Sequence, residues 1–531
     1  MQKINGISVS SGISISKIKV LEREEEIEEK KGAGIEIEKK RSLEAFENAK
    51  NQIENIMSGV DGDEREIFEA HLEMLSDPEV SGTVENYIDN DFTAEYAVYR
   101  AKEDLKQIFI DMEDEYFRAR ANDVEDIMTR VIKNLLGKKA EDMNEEYILV
   151  SDELYPSETL EMDFRKIKGI ATLRGSKTSH TTILANNFGI PALISLDCRN
   201  IYSLDGKLAI LDAESQELIV EPEEDVLSSY EKKIEKEMEK ARELKEYISK
   251  SAVTKSGKKL NVYANIGSEI EAEEANKNGA EGIGLFRSEF LYLGRKNPPD
   301  EEEQYRAYKL AVTSMKDRPV IVRTMDIGAD KQVDYLDLKK EDNPQMGLRG
   351  IRLSLAEREL FKTQLRALLR ASYYGDLRVM LPMVISPKEI LETREIIDEC
   401  LEELKNEKRH FKEFKLGIMI ETPAAAIIAD ELGKYVDFFS IGTNDLVSYT
   451  LAIDRTNNEI AHMRDDYHPA IKRLIELTVA GAKKNDIEVG ICGAMGADPK
   501  MLDFYLDIGL DEVSVAMNKI LEVKRNVINA D

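Results

Sequence analysis

Apolar positions along this chain change their period several times, and each change marks a boundary between elements. Residues 1–20 alternate polar and apolar positions (Gly6-Ile7-Ser8-Val9-Ser10, then Ile13-Ser14-Ile15-Ser16), the period of two that predicts short strands. From Glu22 to Met143 the period lengthens. Ile67, His71, Met74 and Leu75, then Leu105, Ile108 and Met112, stand at helical spacing in a background rich in Glu, Lys, Ala and Leu, which predicts an α-helical bundle. Strand signals return at Tyr147-Ile148-Leu149-Val150, Gly169-Ile170-Ala171-Thr172, Ala192-Leu193-Ile194 and Leu208-Ala209-Ile210-Leu211. The helical block is therefore predicted as an insertion into a small α/β domain. Val226, Tyr230, Ile234, Met238, Ala241, Leu244 and Ile248 then form one apolar stripe on a heavily charged helix that reads as a linker.

Beyond Ser251 eight strand-like segments, at Val262, Ile283, Val320, Val379, Leu416, Phe438, Glu488 and Glu512, alternate with helical stretches. Eight β/α units are the rhythm of a TIM (β/α)8 barrel, with a doubly wound open sheet as the competing arrangement. The barrel is favoured by where reactive side chains fall. Asn265, Arg287, Arg323, Glu421, Asn444, Asp445 and Cys492 all lie just after a predicted strand, and barrels build their active sites at strand carboxyl ends. The expected organisation is a multidomain α/β chain. Residues 1–20 with 144–222 form the small α/β domain, 21–143 the helical insertion, 223–252 the linker and 253–531 the barrel.

The chain has 531 residues and is 42% hydrophobic, enough for several cores. Its 74 basic and 104 acidic side chains leave a formal charge of -30, which repels nucleic acid and anionic membranes. Residues 21–143 hold 34 acidic and 17 basic side chains, more than half of the net charge. Such a surface is either an ordinary solvated helix face or a docking face for a basic partner. Cys198, Cys400 and Cys492 are few and widely spaced, which argues against a disulfide framework or a zinc ribbon and fits a reducing cytoplasm. Met1 to Leu21 carries no basic region leading into an apolar block, and no apolar run is long enough to span a bilayer. The expected protein is cytoplasmic and unprocessed.

The run Thr178-Ser179-His180-Thr181-Thr182-Ile183-Leu184-Ala185 sets one histidine among hydroxyls just before an apolar, helix-like segment. A helix amino end offers unpaired N–H groups and partial positive charge, so a phosphoryl group on His180 would be held by several donors. Imidazole is a competent nucleophile near neutral pH. The competing reading makes His180 a bystander in a Ser/Thr-rich turn. Glu421 and Asp445, from neighbouring strands, can face one cavity and suit magnesium, which takes one or two carboxylates together with phosphate and water. Arg287, Arg323, Arg349, Arg352 and Arg455 can surround the same mouth as forks for phosphate and carboxylate, although any single arginine is equally well a surface ion pair. Cys492 is a candidate proton donor or simply a buried cysteine. His71, His410, His462 and His468 share no metal-ligand spacing and read as structural or surface residues, His71 on a candidate docking helix.

Taken together, these segments resemble the Enzyme I family of bacterial phosphotransferase systems, the phosphoenolpyruvate-protein phosphotransferases. The likeness runs through Lys177-Thr178-Ser179-His180-Thr181, Gly282 to Phe290, Arg323-Thr324-Met325-Asp326-Ile327-Gly328, Asn343-Pro344 with Gly347 and Arg349, and Phe361 to Ala367. It continues through Glu421-Thr422-Pro423, Gly442-Thr443-Asn444-Asp445 and Tyr467-His468-Pro469-Ala470. The resemblance implies that His180 takes the phosphoryl group of phosphoenolpyruvate and passes it to a histidine of the small carrier HPr, releasing pyruvate. It implies that Arg287, Arg323, Arg349, Asn444, Asp445 and Arg455 bind phosphoenolpyruvate, that Glu421 and Asp445 hold Mg2+, and that Cys492 protonates the enolate. It further implies an HPr-binding role for the acidic insertion, a phosphohistidine domain that swings between donor and carrier, and a homodimer through the barrel. Ser176, Lys177, Asn186 and Ala494 depart from the family pattern, and they motivate an alternative in which the chain is a regulatory phosphoenolpyruvate- or HPr-binding paralogue.

Overall fold

The computed structural model describes all residues except 22–26, 58–62, 112–114, 138–144, 155–158, 160–161, 176–180, 183–184, 186–187, 296, 329–332, 337, 455–456 and 458. The chain divides into two compact units, residues 1–238 and 239–531.

In the first unit an eight-stranded sheet is built from β1 (Gln2–Asn5), β2 (Ile7–Ser10), β3 (Ile13–Val20), β4 (Tyr147–Ser151), β5 (Ile167–Thr172), β6 (Ala192–Ile194), β7 (Leu208–Asp212) and β8 (Glu217–Val220). Its order is β1-β8-β7-β3-β4-β5-β6-β2. The adjacent strands β3 and β4 pair in parallel, Lys17 opposite Tyr147 through Val20 opposite Val150, although 126 residues of chain lie between Val20 and Tyr147. A parallel pair needs a crossover connection, and here that connection carries five helices among its described residues. They are α1 (Ile35–Met57), α2 (Asp63–Ser76), α3 (Pro78–Asp89), α4 (Ala94–Ile110) and α5 (Glu115–Leu136). Strand β8 has no counterpart in the sequence-based expectation, because its run Leu218-Ile219-Val220 is buried throughout and shows no alternation.

The helices bury one face each, as their spacing predicts. In α4 that face is Ala94, Ala97, Val98, Ala101 and Leu105, closed at the amino end by the Thr93 side chain, which accepts the Tyr96 N–H at 3.4 Å. Ile108, expected on this face, is instead 52% exposed, and Phe109, four residues beyond Leu105, packs against the core in its place. Leu75 is buried and Met74 partly so. His71 is fully buried, edge-on to Phe68 with ring centroids 5.8 Å apart, and so belongs to the bundle core rather than to any docking face. Met112 lies outside the described residues.

A charged helix, α6 (Glu224–Lys245), follows; none of its residues is fully buried. Tyr230 donates its hydroxyl to Asp212 Oδ2 at 2.9 Å, tying the start of the helix to β7.

In the second unit β9 (Asn261–Ile266), β10 (Ile283–Arg287), β11 (Val320–Arg323), β12 (Leu377–Leu381), β13 (Lys415–Ile420), β14 (Phe438–Gly442), β15 (Glu488–Cys492) and β16 (Glu512–Val515) close into a barrel in sequence order, every pair parallel. All eight expected strands are present, and closure of β16 onto β9 decides against an open sheet. Successive residues face opposite ways, so each strand serves two cores. Val320, Val322, Ile418, Ile420, Phe439 and Ile441 join the large core shared with the helices, whereas Leu285, Ile321, Met380, Met419, Phe438 and Cys492 fill the barrel interior. No described helix is long and apolar enough to cross a membrane. The three cysteines are free thiols.

Candidate active site

Barrel closure brings the carboxyl ends of β9 to β16 to one rim, and the reactive side chains read from the sequence stand there. Arg287, Arg323 and Cys492 are the last residues of β10, β11 and β15, and Glu421 directly follows β13. Asn444 and Asp445 lie in the first turn of the helix Thr443–Leu451 that follows β14. Asn265 sits one residue before the end of β9, its Nδ2 donating to the Ser514 carbonyl at 3.3 Å.

Three of these side chains, Arg323, Glu421 and Asp445, join Arg349, Asp326 and Glu289 in one buried ionic cluster. Arg349 donates from Nε and Nη2 to the two carboxylate oxygens of Asp326, each at 2.9 Å, and from Nη2 to Asp445 Oδ2 at 3.0 Å. Arg323 pairs with Glu289 and, at 3.1 Å, with Asp326 Oδ2. Glu421 Oε1 accepts the Met383 N–H at 2.6 Å, while its Oε2 is buried without a hydrogen-bond partner. Two backbone features make room for that carboxylate. Met383 has φ +60, a conformation costly for a side chain-bearing residue, and a Cβ at Gly442 would come within 3.0 Å of Glu421 Cβ and Oε2.

Ionised, Glu289, Asp326, Glu421 and Asp445 carry four negative charges against the two guanidiniums. Burial, with Asp445 and Asp326 nearby, pushes the Glu421 carboxyl up to about 8 against the pull of Arg323 and Arg349. Burial opposes the charge on both arginines, but the surrounding carboxylates outweigh it and hold them firmly protonated. The donor set is all oxygen, carries an excess of two negative charges among the described residues once Glu421 is ionised, and leaves two buried carboxylate oxygens, Glu289 Oε2 and Glu421 Oε2, unpaired. A hard divalent cation fits such a set.

The rest of the rim is held by neutral hydrogen bonds. Gln364 Nε2 donates to Ser288 Oγ at 3.0 Å, and Ser288 Oγ donates to the Arg323 carbonyl at 2.6 Å. Gln364 Oε1 accepts the Met325 N–H at 3.1 Å. The helix carrying Gln364 thereby fixes the β11 terminus on which Arg323 sits. Asn444 Oδ1 accepts the Ala494 N–H at 3.4 Å, linking the loops after β14 and β15. Cys492 is buried, and burial pushes its thiol up to about 12, so it stays protonated at neutral pH.

Arg287 differs from the other rim arginines. It is exposed, stacks at 5.1 Å over the Phe290 ring, and has no carboxylate partner among the described residues, leaving its fork free for an anionic ligand. Arg352, a candidate for the same mouth, donates to the carbonyls of Met346 and Gly347, both at 3.1 Å. His180 and Arg455 lie outside the described residues, as do Ser176, Lys177 and Asn186. Immediately beyond His180, Thr181 and Thr182 are helical and buried.

Asp326 and Glu289 were given no role by sequence reasoning, although each stands in a motif segment just after a strand. Their signal was the pairing Arg323 to Asp326, three residues apart in the loop after β11. Asp326→Ala is expected to destabilise the barrel by about 3–5 kcal/mol, because two buried guanidiniums would lose their shared partner. Urea unfolding measures it, and a change under about 1 kcal/mol, the range of a surface pair, would show the pairing to be dispensable.

Residues 5–120 match the N-terminal family of PEP-utilising enzymes, residues 143–216 their mobile domain, and residues 241–531 their PEP-binding domain. A Priestia megaterium protein named phosphoenolpyruvate-protein phosphotransferase is 39% identical over 536 residues, covering 99% of this chain and 94% of its own. Proteins of the same name from Bacillus subtilis and Listeria innocua are each 38% identical, covering 99% and 100% of this chain and 94% of their own. With three consecutive family matches and relatives 38–39% identical over 99% or more of its length, the chain belongs to the phosphoenolpyruvate-protein phosphotransferase family of PEP-utilising enzymes.

Proposed function

We propose that this protein transfers the phosphoryl group of phosphoenolpyruvate to its own His180 and then to a histidine of the carrier HPr, releasing pyruvate. The observation that carries this reading is the rim cluster, where Glu421 and Asp445 meet two arginines beside an unpaired Arg287. Arg287, Arg323, Arg349, Asn444, Asp445 and Arg455 bind the substrate, their planar forks matching phosphate and carboxylate oxygens. Glu421 and Asp445 would hold the divalent ion, proposed as Mg2+, which supplies positive charge against the phosphate oxygens.

In the first half-reaction the phosphorus–oxygen bond of phosphoenolpyruvate breaks as a phosphorus–nitrogen bond forms on the His180 imidazole. The electron pair left on oxygen becomes an enolate. Cys492 gives its proton to the methylene carbon, yielding pyruvate, and recovers a proton from water. A thiol held protonated by burial suits a donor. Cys492→Ser is expected to keep phosphoenolpyruvate binding while slowing pyruvate release by roughly 10²–10⁴-fold, the span of general-acid catalysis. Stopped-flow pyruvate detection reads this, and an unchanged rate would make the thiol a bystander.

The proposed division of labour follows the chain. Residues 1–20 with 144–222 carry the phosphohistidine and swing between donor and carrier, 21–143 dock HPr, 223–252 link, and 253–531 bind phosphoenolpyruvate. The excess acid of the insertion would steer a basic carrier toward it. The proposed setting is the cytoplasm, and the proposed assembly is a homodimer through the barrel. Incubation with labelled phosphoenolpyruvate, Mg2+ and HPr tests the function: label is expected on this protein and then on HPr. Absence of label from both would overturn it, and binding without transfer would favour the regulatory alternative.

A further inference from the structure

The amino-terminal end of the barrel, opposite the rim just described, holds a cavity of about 590 Å³. Strand starts (Asn261, Arg378 and Glu488) form part of its wall, together with residues 248–251 after α6 and Lys524 from the helix Ile520–Asn529. Such a volume suits a small-molecule ligand, and the charge on its walls states what kind. In a chain of net charge -30, Lys250, Lys259, Arg318, Arg378 and Lys524 converge on this one space.

The acids that share the cavity are mostly committed elsewhere. Glu281 accepts the N–H groups of Ala252 and Val262 at 3.1 and 2.9 Å, Asp511 accepts that of Val489 at 2.8 Å, and Glu488 pairs with Arg378 at 2.6 Å. The fourth, Asp317, is exposed. The cations other than Arg378 have no such partner. Lys524, only 1% exposed, donates to the carbonyls of Ile248 and Gly279 at 3.2 and 2.9 Å, and Arg318 donates to the carbonyl of Ala280. Among the described residues neither these two nor Lys250 and Lys259 has a carboxylate within ion-pair distance. An ammonium has three donors, so Lys524 keeps one N–H unspent, and burial together with the neighbouring Arg318 disfavours its charge more than the Glu281 carboxylate, already engaged by two N–H groups, supports it.

We propose that this cavity binds a small phosphorylated anion, at a site separate from the phosphoenolpyruvate site at the other end of the barrel. Three of the four unpaired cations are lysines, point charges that suit the dispersed oxygens of phosphate better than the planar pair of a carboxylate. Because residues 248–251 line the cavity and Lys524 holds the Ile248 carbonyl, an occupant braces the segment where α6 runs into the barrel.

Calorimetric titration of the full chain with pyrophosphate, in chelator without metal, tests the site. Lys259 is exposed and Arg318 partly so, which lets Lys259→Gln/Arg318→Gln remove two charges without emptying a core. Wild type is expected to bind, the double variant to lose roughly tenfold or more in affinity, and Arg287→Gln, at the opposite end, to leave this binding unchanged. Equal affinity in the double variant, loss in Arg287→Gln alone, or no binding by wild type up to about 10 mM would overturn the proposal. Citrate separates the ligand classes. Weaker binding than pyrophosphate is expected, and equal binding would overturn the phosphate assignment.

Discussion

His180→Ala is expected to leave the protein unlabelled by phosphoenolpyruvate, with turnover falling on the order of 10⁶-fold, as when an enzyme loses its nucleophile. A stable phosphoryl intermediate needs an atom that attacks phosphorus and then releases it, and imidazole does both near neutral pH. The other four histidines are poorly placed to replace it. His71 is sealed in the helical core, His468 Nδ1 accepts the Ala470 N–H at 3.2 Å as a helix cap, and His410 packs 5.2 Å from the Tyr373 ring. His462 lies in a short 3-10 turn of the barrel unit. Label persisting in the variant, mapped to another residue, would remove His180 from the mechanism. Unchanged thermal unfolding would show that the loss is chemical.

Glu421→Gln carries the second large effect. The substitution keeps the size of the side chain and the Oε1 that accepts the Met383 N–H, and it removes only the charge. If Glu421 and Asp445 hold the divalent ion, the variant loses several kcal/mol of charge stabilisation at the phosphate, or about 10³-fold in turnover. The Mg2+ needed for half-maximal rate should rise, and the thermal shift caused by Mg2+ in wild type should shrink. A purely structural carboxylate would behave otherwise. Above about pH 8, where the metal-free wild-type carboxyl ionises against Asp445 and Asp326, the variant escapes that repulsion and should be at least as stable as wild type. Asp445→Ala should also lose metal-dependent turnover, with the added loss of a partner for Arg349. Wild-type activity in either variant would refute the metal site.

Much of this architecture was legible because local pattern and global fold agree. The expected strand over Ile13-Ser14-Ile15-Ser16 lies within β3, where Ile18 and Val20 keep a period of two on the buried face, and each expected barrel segment became a strand. Expectations failed where a residue's neighbours are remote in sequence. Ile108 continues the helical spacing of α4 yet faces outward, since Phe109 fills the place beside the core.

By itself the sequence determined the alternation that makes strands, the spacing that makes helices, the acidic bias of the insertion and the positions of reactive residues at strand ends. Those properties belong to short windows of chain, where backbone geometry and side-chain chemistry suffice. Tertiary structure alone decided that the sheet closes, and closure placed Asp326, Glu421 and Asp445, each just beyond a different strand, around Arg323 and Arg349. It likewise gathered Lys259, Arg318 and Lys524 at the other end of the barrel. Charges brought together from distant positions interact in a low-dielectric space that no local window contains, so their partners and their protonation follow from the fold.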